Sequence, residues 1–142
     1  MRVQLRNFVT YDYVEFTPGP YLNMILGPNG TGKSSIACAI CLGLNFPPSV
    51  GRFMRNHFPT LIKRLQVLGR ASEINSFVKI GTEEGHIEIE LKGANGQPNL
   101  VIKRTLLARS KTNQFYMNGR TATGKEVAAR MQELNVQVSN LW

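Results

Sequence analysis

The first third of the chain alternates and then turns uniformly apolar. Arg2–Phe8 puts Val3 and Leu5 on one face and polar residues on the other, the period-two pattern of a strand with one face buried. Val14–Phe16 reads as a short partner strand, joined to the first through Val9–Tyr13. Pro18-Gly19-Pro20 breaks any regular element. Tyr21–Leu26 carries Leu22, Met24, Ile25 and Leu26, and the run predicts a strand buried on both faces. Lys33–Leu44 is apolar nearly all round after its first turn and predicts a buried helix. Asn45 and the Pro47-Pro48 pair close it.

Further strands follow a basic stretch. Phe77–Ile80 is a short candidate. His86–Lys92 alternates, with Ile87, Ile89 and Leu91 facing in. Leu100–Leu106 follows a Gly- and Asn-rich loop, so these two form a hairpin. Gln114–Met117 leads into Asn118-Gly119, a two-residue hairpin turn signal. Thr123 with Glu126 fits a helix capping box. The helix it opens, Gly124–Leu134, places Val127, Met131 and Leu134 on one face. Val136–Trp142 ends the sequence without a polar tail.

Between the apolar strand and the apolar helix lies Gly27-Pro28-Asn29-Gly30-Thr31-Gly32-Lys33-Ser34, which fits G-x-x-x-x-G-K-[ST]. Glycines allow backbone angles that turn successive N–H groups into one concavity for phosphate oxygens. The helix N-terminus adds its positive dipole end. Lys33 is placed to reach the β- and γ-phosphates, and the Ser34 hydroxyl to take one position on Mg²⁺. The expected nucleotide contacts are therefore Asn29, Gly30, Thr31, Gly32, Lys33, Ser34 and Ser35, with Ser34 as metal ligand, for ATP with Mg²⁺. No catalytic residue is assigned.

Two short strands precede the loop and several hairpins follow it. That order predicts an α/β P-loop NTPase of ABC-ATPase type, with a mixed sheet of antiparallel hairpins beside a nucleotide-binding core. It differs from kinases and small GTPases, whose phosphate-loop strand comes first and whose βα units follow.

Composition adds less. An apolar fraction of 42% is ordinary for a globular domain. No apolar run reaches the roughly 18 residues that span a bilayer, so no membrane partner is expected. Cys38 and Cys41 read as small apolar residues of the buried helix, because no second Cys or His pair completes a zinc site. The net charge of +8 points to an acidic partner such as DNA. Half of it, however, comes from Gly51–Gln66, which carries Arg52, Arg55, Lys63 and Arg64 and no acid.

The loop through Ser35 resembles the Walker A loop of the structural maintenance of chromosomes (SMC) proteins. Tyr11-Asp12, Pro18-Gly-Pro20, Leu22-Asn-Met-Ile25 and Ser34 through Leu44 are similar to one branch of that family. Leu68-Gly-Arg-Ala71, Ile87–Leu91, Asn135–Val138 and Asn140-Leu141 continue the likeness. The resemblance implies the N-terminal half of an ATPase head on a coiled-coil arm. Two heads of different members would sandwich two ATP molecules, with non-SMC subunits attached. Such a complex entraps DNA in the nucleus and serves repair, recombination and chromosome maintenance. By the same resemblance Arg70 corresponds to an arginine near the ATP and the DNA-facing head surface. The family's Q-loop, coiled coil, hinge, signature motif and Walker B acid lie beyond these residues, so the 142 residues alone are expected to be inactive. Another ABC-type repair ATPase, a nonenzymatic fragment and a nucleic-acid-binding module are the alternatives.

Gly51–Gln66 has no counterpart in the family pattern. A translated, unremoved intron, a surface insertion and a basic loop against DNA phosphates are three readings of it. On the first, Phe53, Met54, Phe58, Leu61, Ile62 and Leu65 have no cavity waiting and their exposed surface promotes aggregation. Deleting the segment is then expected to raise soluble yield without lowering the melting temperature. A fall of several degrees on deletion would instead mark a native insertion packed into the core.

Overall fold

The computed structural model describes residues 1–28, 31–45, 74–93, 96–110 and 112–136. Among them six strands form one sheet in the order β2-β1-β3-β4-β5-β6, and every pairing among these strands is antiparallel. In chain order they are β1 (Arg2–Phe8), β2 (Tyr11–Phe16), β3 (Glu84–Leu91), β4 (Leu100–Leu107), β5 (Asn113–Met117) and β6 (Arg120–Ala122). Among the described residues two helices, α1 (Lys33–Gly43) and α2 (Gly124–Glu133), share one core with the inner face of the sheet. The antiparallel hairpin layer expected from the sequence is thus the bulk of what is described.

The alternation expected of β1, β3 and β4 sets which face is buried. Val3, Leu5, Ile87, Ile89, Ile102 and Leu106 have no exposed surface. β1 breaks phase at Asn7, whose φ is 49°, so that Phe8 also turns inward. The Asn7 side chain donates to the Glu84 carbonyl at 3.0 Å and its own carbonyl accepts from the Lys79 amide at 2.8 Å. The β5–β6 turn is Asn118-Gly119, with left-handed φ of 46° and 80°, as a two-residue hairpin of this type requires. Both bonds of the capping box form at α2: the Glu126 amide donates to Thr123 Oγ1 and the Thr123 amide to Glu126 Oε2. Val127 and Met131 are the buried side of that helix.

α1 lies across β1, β3 and β4. Ile36, Cys38, Ala39, Cys41 and Leu42 are buried in it, so the two cysteines pack as apolar residues. Both are free thiols, and burial pushes Cys38 up to about 12 and Cys41 up to about 11. At its C-terminal end the helix nearly touches the sheet. A Cβ on Gly43 would stand 2.6 Å from Ile89 Cδ1 and 2.9 Å from Ile87 Cγ2, so any larger residue there would have to push both side chains aside. Asn45 then takes φ 54° and its side chain donates to the Gly124 carbonyl at 2.6 Å, joining the end of α1 to the start of α2.

Three expectations need correction. Residues 21–26 form no strand, and Tyr21, Leu22, Met24 and Leu26 are 92%, 90%, 73% and 80% exposed. No strand among the described residues pairs with them, and an apolar run without hydrogen-bonding neighbours cannot be a buried strand. Residues 77–80 are likewise not a strand. Ile74–Phe77 is a 3-10 turn, Val78 makes one isolated bridge to Phe8, and Ile80 is 62% exposed. Finally, β2 begins at Tyr11, leaving only Val9 and Thr10 as the turn. The Pro47-Pro48 pair, residues 51–66 and all but the start of 136–142 lie outside the described residues.

An inward-facing arginine was not expected. Arg104 lies between Ile102 and Leu106 on the core face of β4 and is 5% exposed. Its Nη1 donates to the Leu42 carbonyl in the last turn of α1 at 2.6 Å, and its Nε to Asn113 Oδ1 at 3.1 Å. The guanidinium sits 4.5 Å over the Phe115 ring. Burial pulls its pKa down to about 10, so it stays charged at neutral pH. The last turn of α1 holds no basic residue of its own, so Arg104 supplies the cation that a helix C-terminus favours. Replacing Arg104 by Met keeps the bulk but removes the charged donor, leaving the Leu42 carbonyl with the Asn45 amide at 3.2 Å and the Asn113 side chain without its guanidinium partner. The expected loss is about 2 kcal/mol, a drop of several degrees in the thermal midpoint that a melting curve reads directly.

Candidate phosphate-binding site

α1 begins at Lys33, so the sequence's phosphate-loop lysine and serine occupy its first turn. The residue before it, Gly32, has φ 96° and ψ 8°, a left-handed conformation that a side chain would oppose. No side chain caps this helix end and no acid lies in its first turn. The Ser35 amide bonds back to the Gly32 carbonyl at 2.8 Å, and the Ile36 amide to the same oxygen at 3.3 Å. An uncapped, left-handed entry into a buried helix leaves backbone donors and a positive dipole end directed outward, which suits an anion.

Lys33 folds back along the loop. Its Nζ donates to the Gly27 carbonyl at 2.5 Å and to the Pro28 carbonyl at 2.6 Å. The ammonium is thereby held at the loop, and its partners are neutral carbonyls that a phosphate would outcompete. Thr31 Oγ1 donates to the Pro28 carbonyl at 2.9 Å and tightens the same turn. Ser34 is half-buried beside Lys33, and Ser35 is 2% exposed behind it. The structure therefore brings Thr31, Gly32, Lys33, Ser34 and Ser35 together at one helix end. Asn29, Gly30 and Arg70 lie outside the described residues. The residues present fit a magnesium-bound triphosphate: backbone donors, one ammonium and one hydroxyl lie at one helix end, with no acid in its first turn.

One neighbour of the loop was missed. Tyr11, the first residue of β2, reaches it from 20 residues away, and its hydroxyl donates to the Thr31 carbonyl at 3.2 Å. Neither spacing nor period marks Tyr11 in the sequence, because the contact depends on the β1–β2 hairpin folding over the loop.

A family model described as an AAA domain matches residues 2–140. The chain belongs to that family. Three relatives narrow this further. Structural maintenance of chromosomes protein 5 is 39% identical in Schizosaccharomyces pombe, 36% in Arabidopsis thaliana and 32% in Caenorhabditis elegans. Each match covers 99% of this chain and 11%, 12% and 11% of the respective relative. The chain is thus a member of the structural maintenance of chromosomes family, similar to its protein 5, and spans about a tenth of the length of the curated relatives it matches.

Solved structures agree on the fold. An Smc head bound to the C-terminal winged-helix domain of ScpA superposes with a TM-score of 0.74 at 20% identity, over 99% of this chain and 41% of that one. An SMC ATPase described for ATP-driven dimerization and DNA-stimulated activation gives a TM-score of 0.70 at 21% identity, over 92% and 76%.

Proposed function

We propose that these residues form the N-terminal lobe of an SMC-type ATPase head and bind ATP with Mg²⁺ at the start of α1. The observation that carries this is the uncapped helix end entered through a left-handed Gly32, with Lys33 held at the loop by neutral carbonyls. Thr31, Gly32, Lys33, Ser34 and Ser35 bind and orient the phosphates, together with Asn29 and Gly30. Ser34 is the ligand for Mg²⁺, which when bound neutralises phosphate charge.

The exposed 21–26 segment supports the assignment to a lobe. Four large apolar side chains beside a nucleotide loop call for a covering sheet, and the rest of a head would supply it. In this reading the atypical stretch 51–66 is an insertion within the lobe, and Arg70 lies near the nucleotide and DNA surface. By likeness to the protein 5 relatives, the partner head is SMC protein 6, with associated non-SMC subunits. The ScpA-bound neighbour is one precedent for a head that holds a non-SMC subunit. DNA is the substrate of the assembly, the setting is the nucleus and chromosome, and the task is repair, recombination and chromosome maintenance.

The 142 residues hold no Walker B acid or signature motif in the family pattern. They are therefore expected to bind nucleotide without turning it over. In the full-length protein, Lys33→Ala is expected to weaken Mg·ATP binding at least about a hundredfold, on the order of the worth of a charge-assisted contact pair, with the nucleotide-free melting temperature unchanged. Phosphate release by the 142-residue chain at saturating ATP should not exceed that of its own Lys33→Ala variant. Turnover that disappears with Lys33 would show that the acid and the signature are supplied differently.

A further inference from the structure

The β1–β2 hairpin is held in an unfavourable shape. Val9 has φ 50°, a left-handed angle that a β-branched residue avoids at a cost of about 1–3 kcal/mol. It occupies the first position of a two-residue turn, flanked by the Phe8–Tyr11 pair, where glycine is the usual choice. The surrounding structure fixes it there. The Val9 amide donates to the Phe77 carbonyl at 2.8 Å, and the rings of Phe8 and Phe77 stack with centroids 5.7 Å apart. Lys79 pairs with Asp12 at 2.5 Å, on the residue after Tyr11. These ties, all to the segment Phe77–Lys79, hold the hairpin over one spot.

That spot is the phosphate loop. Besides the hydroxyl bond to the Thr31 carbonyl, the Tyr11 ring lies against Gly32. A Cβ on Gly32 would stand 2.6 Å from the Tyr11 hydroxyl oxygen and 2.8 Å from Cζ. The ring therefore occupies the volume beside the left-handed residue that aims the loop, and the hydroxyl fixes the carbonyl just before it. Burial raises the phenol pKa, so the group stays a donor throughout the physiological range.

We propose that Tyr11 is a positioning residue for the phosphate loop: it holds the Thr31–Gly32 turn in the conformation that presents the α1 amides, so that the nucleotide meets a preset nest. This rests on the proposed nucleotide site, and it separates two contributions. The ring excludes alternative rotations of Gly32, and the hydroxyl holds the peptide plane. Organisation before binding of this kind raises affinity by reducing what must be ordered on binding.

Two readouts in the full-length protein test it. The first is amide hydrogen exchange across residues 31–35 without nucleotide. Tyr11→Phe is expected to speed exchange there severalfold, and Tyr11→Ala more so. The second is equilibrium binding of Mg·ATP. Tyr11→Phe is expected to weaken it about three- to fivefold and Tyr11→Ala by tenfold or more, with the nucleotide-free melting temperature of Tyr11→Phe unchanged. Tyr13→Phe, whose hydroxyl bonds Glu15 on the exposed side of the same strand, is the control and should alter neither. Unchanged exchange in Tyr11→Phe overturns the proposal, and so does a loss of affinity that merely follows a lower melting temperature. If the unaltered protein binds no Mg·ATP, the nucleotide assignment falls, while the exchange measurement still decides whether Tyr11 holds the loop.

Discussion

α1 is seated on the sheet by contacts at both ends. At its C-terminus Gly43 lets the backbone approach Ile87 and Ile89, and Arg104 reaches from β4 to hold the Leu42 carbonyl. Between the ends, Ile36, Ala39 and Leu42 fill the space over β1, β3 and β4. Burying each large aliphatic side chain there is worth about 1.5–3 kcal/mol. The helix N-terminus, with the phosphate loop on it, consequently stands at a fixed height above the sheet. A loop with exposed backbone donors cannot hold its own shape; the seat of the helix behind it does that.

Arg104 shows how this seat combines opposing effects. A buried guanidinium with no carboxylate partner among the described residues is costly to desolvate. Here the helix C-terminal dipole, the Phe115 ring and the Asn113 side chain together offset that cost. The same residue links β4, β5 and α1, so a disturbance of the β4–β5 hairpin reaches α1 through one side chain. The hairpin at Val9 acts at the opposite end, where its strained turn holds Tyr11 against the loop. The helix is thus tied to the sheet at both ends by polar side chains set among apolar ones.

Period and punctuation made much of this legible. The phase of Val3, Leu5, Ile87 and Ile89, the Asn118-Gly119 turn and the Thr123–Glu126 box are local signals, and each formed as local chemistry dictates. The start of α1 at Lys33 follows from the glycine before it. Residues 21–26 failed for a nonlocal reason: apolar composition states that a segment favours burial, but not which strand will cover it. Phe77–Ile80 failed because Asn7 breaks the phase of β1 and leaves room for one bridge only. Arg104 had a signal, since it falls in phase with Ile102 and Leu106, yet a cation in an inward position is read from sequence as an interruption. Tyr11 had only its place in the family likeness and no sign of a role at the loop, because its contact spans the whole 11–31 interval and exists only after the hairpin closes.

The central claim is that the end of α1 is a preset phosphate site. A crystal structure of the full-length protein with Mg²⁺ and a nonhydrolysable ATP analogue tests it most directly. The triphosphate is expected in the 27–35 loop, with Lys33 Nζ moved from the Gly27 and Pro28 carbonyls onto phosphate oxygens, the metal on Ser34 Oγ, and the Thr31–Gly32 backbone unmoved. A nucleotide bound elsewhere, or a loop that must rebuild around Gly32 to receive it, would contradict the account.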